Sequence, residues 1–263
     1  MTSAATSVET STAGPIEAVV FDIGGVLLDW DPRYLYRSLL PDETSVERFL
    51  AEVCTPSWNA AQDAGRDWDE AVAALTARFP EHADLIRAYH ERWPEMVAGV
   101  FEDTAAILRE LRAAGVPTYA LTNFSAQKWE IAVERWGVLT EFDGVVVSGK
   151  ERVTKPDPAI YLLLVERYGL TPERTFFTDD TPANVEAARR VGLRAELFVD
   201  ADTLRAQLVA AGVLPSAAAS AGQQAPRGGG PRTRGARAAE DGQVSPEQRG
   251  GADAPVATEA DPR

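Results

Sequence analysis

In EAVVFDIGGVLLDWDP (Glu17–Pro32) an apolar run ends at Asp22, two glycines follow at once, and Asp29 and Asp31 come soon after. A short, continuously apolar run reads as a strand buried on both faces, as in a parallel sheet sandwiched between helices. Such open sheets bind ligands outside the carboxyl ends of their strands. An acid at that point is therefore a candidate for chemistry as well as for capping a turn. The glycines let the chain turn sharply and bring backbone groups close to whatever Asp22 holds. The stretch also raises a question: why does Gly24, rather than a second acid, stand two places after Asp22?

Outward from this strand the pattern repeats. Strands are predicted at Ala18–Asp22, Thr118–Thr122, Val145–Ser148, Thr175–Asp179 and Ala195–Val199. Between and after them come helical patterns, TAAILRELRAAG, AQKWEIAVERWG, PAIYLLLVERYG, PANVEAARRVG and ADTLRAQLVAAG, each closing at or beside a glycine, the usual C-cap residue. This alternation predicts an α/β fold, a doubly wound, Rossmann-like parallel sheet. From Asp29 to about Val100 no strand is predicted, only helical segments such as TSVERFLAEV, WDEAVAALTARF and HADLIRAYHERW. The expected organisation is an N-terminal tail (1–14), an α/β core in two pieces (15–28 and 100–214), an all-helical cap inserted between them (29–99), and a C-terminal tail (215–263). The C-terminal tail is rich in Gly, Pro, Ala, Gln and Arg and has almost no large apolar side chains. It cannot bury enough surface to offset the entropy of ordering, so it is predicted to be disordered.

Composition narrows the function. Of 263 residues 45% are hydrophobic and 25% charged, values that support a real core. A formal net charge of −14 argues against nucleic acid as a partner, because phosphate backbones require a basic face. No run of about 18 apolar residues occurs, so no membrane span is expected, and the N-terminus has neither the basic nor the apolar region of a signal peptide. The single cysteine, Cys54, allows no intramolecular disulfide and is read as buried packing in a reducing, cytoplasmic compartment.

Four segments bring polar groups to one edge of the expected sheet. Asp22 ends the first strand, and Thr122-Asn123 the second, in YALTNFS. Lys155 follows the third, in KPDP, and Asp179-Asp180 ends the fourth, in TFFTDDTPAN. Clustered carboxylates repel one another unless a cation joins them, and hard oxygen ligands select Mg²⁺. Gly24 is expected to add its backbone carbonyl to that ion. A hydroxyl, an amide and an ammonium are donors suited to phosphate oxygens, and a carboxylate aimed at phosphorus can act as a nucleophile. These groups suit a ligand that carries a phosphate.

FDIGGVLLD, ALTN, KPDPAIY and FFTDDTPANVEAARRVG together resemble the four motifs of the haloacid dehalogenase superfamily, from about Ile16 to Leu214, and the helical insertion resembles the C1 cap of its first subfamily. The Asp-x-Gly of the first motif is similar to that of sugar phosphatases of the α-glucose-1-phosphate phosphatase type. The resemblance implies a core strand order of 3-2-1-4-5 and a phosphomonoester hydrolase. In that reading Asp22 is the nucleophile, Thr122 and Asn123 hold phosphate, and Lys155 neutralises charge between nucleophile and phosphate. Asp179 and Asp180 hold Mg²⁺, with Asp180 the more direct ligand and Asn184 placed to orient it. Most phosphatases of the superfamily carry a general acid–base aspartate where this chain has Gly24. Asp29 or Asp31 from the cap hinge, a good leaving group, or a metal-bound water are the substitutes considered, with a substrate- or hinge-supplied proton preferred.

Two alternatives use the same residues. 2-Haloacid dehalogenation also employs an aspartate nucleophile without the second acid, but a metal-free site gives the Asp179-Asp180 pair little to do. A catalytically weak, phosphate-binding regulatory protein is the other. In the cap, WNAAQDAGRDW (Trp58–Trp68), with Trp58, Asn59, Gln62 and Arg66, together with Trp30 and Tyr34 near the hinge, offers groups that could choose the substrate. His82 and His90 show no metal-ligand spacing.

Overall fold

The computed structural model describes residues 14–216, so the expected tails at residues 1–13 and 217–263 lie outside the described residues. The chain opens with β1 (Ala18–Phe21) and a tight loop, then β2 (Leu28–Trp30). Five helices follow: α1 (Pro32–Leu39), α2 (Glu43–Glu52), α3 (Pro56–Asp63), α4 (Trp68–Arg78) and α5 (Ala83–Glu91). Next come β3 (Val97–Val100), α6 (Glu102–Ala113), β4 (Thr118–Thr122), α7 (Ala126–Arg135) and β5 (Gly144–Val147). The chain continues through α8 (Ser148–Glu151), α9 (Pro158–Tyr168), β6 (Thr175–Asp179), α10 (Pro182–Arg190), β7 (Arg194–Leu197) and α11 (Ala201–Ala210).

Five strands form one sheet in the order β5-β4-β1-β6-β7, with every neighbouring pair parallel. Counted within the sheet this is 3-2-1-4-5, with β1 in the centre. All four β1 residues are buried, and the strand's alternation divides them between two apolar layers. Val19 and Phe21 join Leu108 and Leu111 of α6 and Leu204 and Leu208 of α11 on one face. Val20 joins Leu121, Val146 and Phe177 beneath Ile160, Tyr161 and Leu164 of α9 on the other. Helices start where the sequence supplies a cap. Asp31, Asp42, Thr55, Asp67, Ser125, Asp157 and Asp200 each accept a hydrogen bond from a first-turn N–H. Proline occupies the first helical position after Asp31, Thr55 and Asp157.

Three expectations change. The interval from Asp29 to Val100 does contain strands: β2 and β3 pair antiparallel, Leu28 opposite Val100 and Asp29 opposite Gly99. Segments of three and four residues, one holding a glycine, are too short to show a strand period in sequence. Gly137 does not close α7, which ends at Arg135 with an extended Trp136; it opens a 3₁₀ turn through Thr140. The last sheet strand ends at Leu197, and Val199 is exposed. No helix among the described residues is long and apolar enough to cross a membrane.

Candidate active site

Asp22 follows β1 directly, and its N–H still bonds to the carbonyl of Thr178 at 2.9 Å. Phe21 is in register with Thr178 on the parallel neighbour β6, so the next residue on each strand, Asp22 and Asp179, emerge side by side. Asp22 is 7% exposed, Asp179 0%, and Asp180 lies at the surface. One carboxylate oxygen from each of the three lies within 4.8 Å of the others. Lys155, 3% exposed, places its ammonium 2.8 Å from Oδ1 of Asp22 and 2.6 Å from Oδ2 of Asp179.

Burial pushes the Asp22 carboxyl up to about 7, with Lys155 opposing and Asp179 adding to the rise. Asp180 is raised by burial and then by Asp179. For Lys155 burial acts downward, but the charges of Asp22 and Asp179 outweigh it and hold the ammonium protonated. Three carboxylates thus face one ammonium, and the deficit of positive charge is what a divalent cation fills. All the donors are hard oxygens, the set that suits Mg²⁺. The loop after β1 is held by its own backbone bonds. The carbonyl of Ile23 accepts from the N–H groups of Leu27 (2.8 Å) and Leu28 (2.9 Å), and Leu28 O accepts from Gly25 (3.0 Å), while the Gly24 carbonyl takes part in none of these.

The two acids of the pair differ in what holds them. Asp179 accepts from Lys155, from the Thr181 N–H (2.9 Å) and from Nδ2 of Asn184 (2.9 and 3.1 Å). Asn184 therefore orients Asp179, not Asp180 as the sequence led us to expect; β6 buries Asp179 toward the helix that carries Asn184. Asp180 is left with Thr181 Oγ1 at 3.3 Å. Asn123 has partners that the sequence did not show. Its Oδ1 accepts from the N–H of Lys155 (2.8 Å) and its Nδ2 donates to the carbonyl of Lys155 (2.9 Å), so its side-chain amide fixes the lysine backbone. Thr122 is buried at the end of β4.

The helical insertion closes over this edge. Nε1 of Trp68 donates to Ser125 Oγ (2.9 Å), Nζ of Lys128 to the carbonyl of His90 (2.6 Å), and Ser148 Oγ to the carbonyl of Asp63 (2.6 Å). Between insertion and sheet lies a cavity of about 80 Å³ bordered by Gly24, Trp30, Asn59, Asp63, Trp93 and Lys128, among others. Of the candidate substrate-selecting residues, Asn59 and Trp30 reach it. Trp58 packs edge-on against Trp68 and Tyr89, Gln62 is buried with Arg66 bonded to it, and Tyr34 bonds outward to Asp29. The hinge carboxylates are held locally: Asp29 by the Tyr34 hydroxyl (2.9 Å), Asp31 by the N–H and guanidinium of Arg33 (2.9 and 3.2 Å). Cys54 is buried, and burial raises its thiol to about 12, far from an activated thiolate.

Comparison with known proteins agrees with this frame. Residues 16–192 match the family model of the haloacid dehalogenase-like hydrolases, and the chain belongs to that family. It is 26% identical over 180 residues to sesquiterpene phosphatase astK of Aspergillus oryzae, covering 67% of this chain and 87% of that one. It is 24% identical over 199 residues to a phosphorylated carbohydrates phosphatase of Thermotoga maritima, covering 68% and 82%. Two other relatives are much longer proteins, of which the chain spans 36% and 17%. Among solved structures, the wild-type HAD family enzyme bt-2542 of Bacteroides thetaiotaomicron, in complex with magnesium and inorganic phosphate, shares the fold with a TM-score of 0.55 at 20% identity, over 70% of this chain and 95% of that one.

Proposed function

We propose that the chain is a Mg²⁺-dependent phosphoric monoester hydrolase that cleaves a small phosphorylated metabolite through an aspartyl-phosphate on Asp22. The observation that carries this reading is the meeting of Asp22, Asp179 and Asp180 around the buried ammonium of Lys155. Asp22 attacks phosphorus in line, forming the P–Oδ bond as the ester P–O bond breaks. Lys155 neutralises the nucleophile and the phosphate oxygens, and Thr122 holds the phosphate beside it. Asn123 acts by fixing Lys155. Asp22, Asp179, Asp180 and the Gly24 carbonyl would hold Mg²⁺, which would supply positive charge to the developing transition state. The helices between residues 29 and 99 act as a cap that excludes bulk water. The Asp-x-Gly motif supports a place near the sugar phosphatases of the α-glucose-1-phosphate type, and the phosphatase names of both relatives support the reaction class. The buried, unpaired Cys54 supports a cytoplasmic setting.

The test is phosphate release from a panel of phosphate esters with Mg²⁺ or with EDTA. Release that needs Mg²⁺ and falls to background in Asp22→Asn is expected. Halide release from 2-chloropropionate in the presence of EDTA would replace this reading with dehalogenation.

A further inference from the structure

We propose that Asp63 is the proton donor and acceptor of the reaction, supplying from the cap the acid that Gly24 does not. This rests on the phosphatase reading above.

Gly24 and Asp63 border the same cavity. A Cβ built on Gly24 would meet no atom within 4 Å, so neither crowding nor a left-handed backbone requires glycine there. The space stays open for the substrate, and the carboxyl comes from elsewhere. Asp63 is the one carboxyl group among the described residues lining that cavity. It is also positioned. Its carbonyl accepts from Ser148 Oγ at 2.6 Å, and its Oδ2 accepts from Asn59 Nδ2 at 3.0 Å. The N–H of Ser125, three residues past Thr122 on the loop that leaves β4, also bonds to it. The acid therefore stands beside the expected phosphate-binding loop.

Its surroundings favour the protonated form. Asp63 is the last residue of α3, where the helix carries partial negative charge. Burial raises the carboxyl to about 7, with the Ser125 N–H opposing. The titratable neighbours do not reverse this. The Lys128 ammonium is directed to His90 O (2.6 Å) and lies over the Trp68 ring (5.1 Å), and burial holds the Tyr89 hydroxyl neutral. Trp30, Trp93 and Phe124 add apolar surface to the wall. At about 80 Å³ the cavity exceeds several-fold the roughly 15 Å³ that one water needs, leaving room for a leaving-group oxygen and the carbons attached to it.

The step balances. As the P–Oδ bond to Asp22 forms, the ester P–O bond gives its electron pair to the leaving oxygen, and the Asp63 proton goes to that oxygen, releasing a neutral alcohol. The Asp63 carboxylate then takes a proton from the water that attacks phosphorus. The P–Oδ pair returns to Asp22, phosphate leaves, and Asp63 is again protonated.

The experiment compares kcat/KM for phenyl and p-nitrophenyl phosphate, alike in shape but unlike in leaving-group acidity. Wild type is expected to use both within about tenfold. Asp63→Asn is expected to lose about 10²-fold or more on phenyl phosphate, the range of general acid help, and less than about tenfold on p-nitrophenyl phosphate, whose anion leaves unaided. Gly24→Asp in the Asp63→Asn background is expected to restore the phenyl substrate. Equal losses on both substrates in a variant that melts like wild type, or no loss on either, overturn the proposal. So does a wild type that already cleaves phenyl phosphate more than about 10²-fold more slowly, a comparison independent of how the variants fold. Absence of p-nitrophenol release from wild type overturns the phosphatase reading itself, and this proposal with it.

Discussion

A methyl group on Gly25 would stand 2.3 Å from Oδ2 of Asp180, on a backbone with φ of +73°, whereas one on Gly24 would meet nothing within 4 Å. Two adjacent glycines are thus held by different forces. Gly25 is required by backbone and by space, and Gly24 by neither. Gly25→Ala is expected to lower stability by about 1–2 kcal/mol through the left-handed conformation alone, and to weaken Mg²⁺ binding tenfold or more by displacing Asp180. Gly24→Ala should change stability by less than about 1 kcal/mol. Urea denaturation and calorimetric Mg²⁺ titration of the two variants read this directly.

At the scale of elements, strands and capped helices were legible because each carries its own local signal. The first strand, predicted at Ala18–Asp22 and found at Ala18–Phe21, and the Gly169 terminus of PAIYLLLVERYG fall where they were predicted, one residue apart at most. The placement of Asp22, Thr122, Lys155 and Asp179-Asp180 at one edge was legible too, since parallel strands deliver their ends to the same side. What a side chain bonds to once there was not. Asn123 turned to the backbone of Lys155 and Asn184 to Asp179, because those partners lie on other elements brought close only by folding. Asp63 was quoted within Trp58–Trp68 but not singled out. Its one sequence signal, an acid ending a short helix, is weak until the helix is seen docked on Ser148. That docking makes its own prediction. Trp68 is buried and donates through Nε1 to Ser125 Oγ. Trp68→Phe removes the bond while keeping most of the ring, and should cost about 1–2 kcal/mol. It should raise KM several-fold and leave kcat within about threefold, measured by melting curves and steady-state kinetics.

The molecule as a whole carries a formal charge of −14, and part of its acidity is buried where it opposes folding. Asp22 and Asp63 each titrate near 7 in the folded chain, raised foremost by burial, and Asp180 is raised as well. Unfolded aspartates release their protons near 4, so between about pH 4 and 7 the folded state binds more protons than the unfolded one, and stability from these groups falls as pH rises. Metal-free protein should therefore lose stability across that window. Asp63→Asn should remove its share, becoming more stable than wild type at pH 8 by the order of 1–3 kcal/mol. Mg²⁺ should cancel the share of Asp22 and Asp180. Urea midpoints at pH 5 and 8, with Mg²⁺ and with EDTA, separate the contributions.

Leu28 and Val100 are register partners in the β2–β3 ribbon, and the N–H of Phe101 bonds to the carbonyl of Leu27 at 2.8 Å. The chain consequently departs for its helical excursion and comes home through a single doorway, its two thresholds about 5 Å apart as in any antiparallel pair. A gap that narrow can be bridged by a two-residue hairpin turn. One helical lobe can thus be traded for another, or omitted, without cutting a strand of the sheet beneath it.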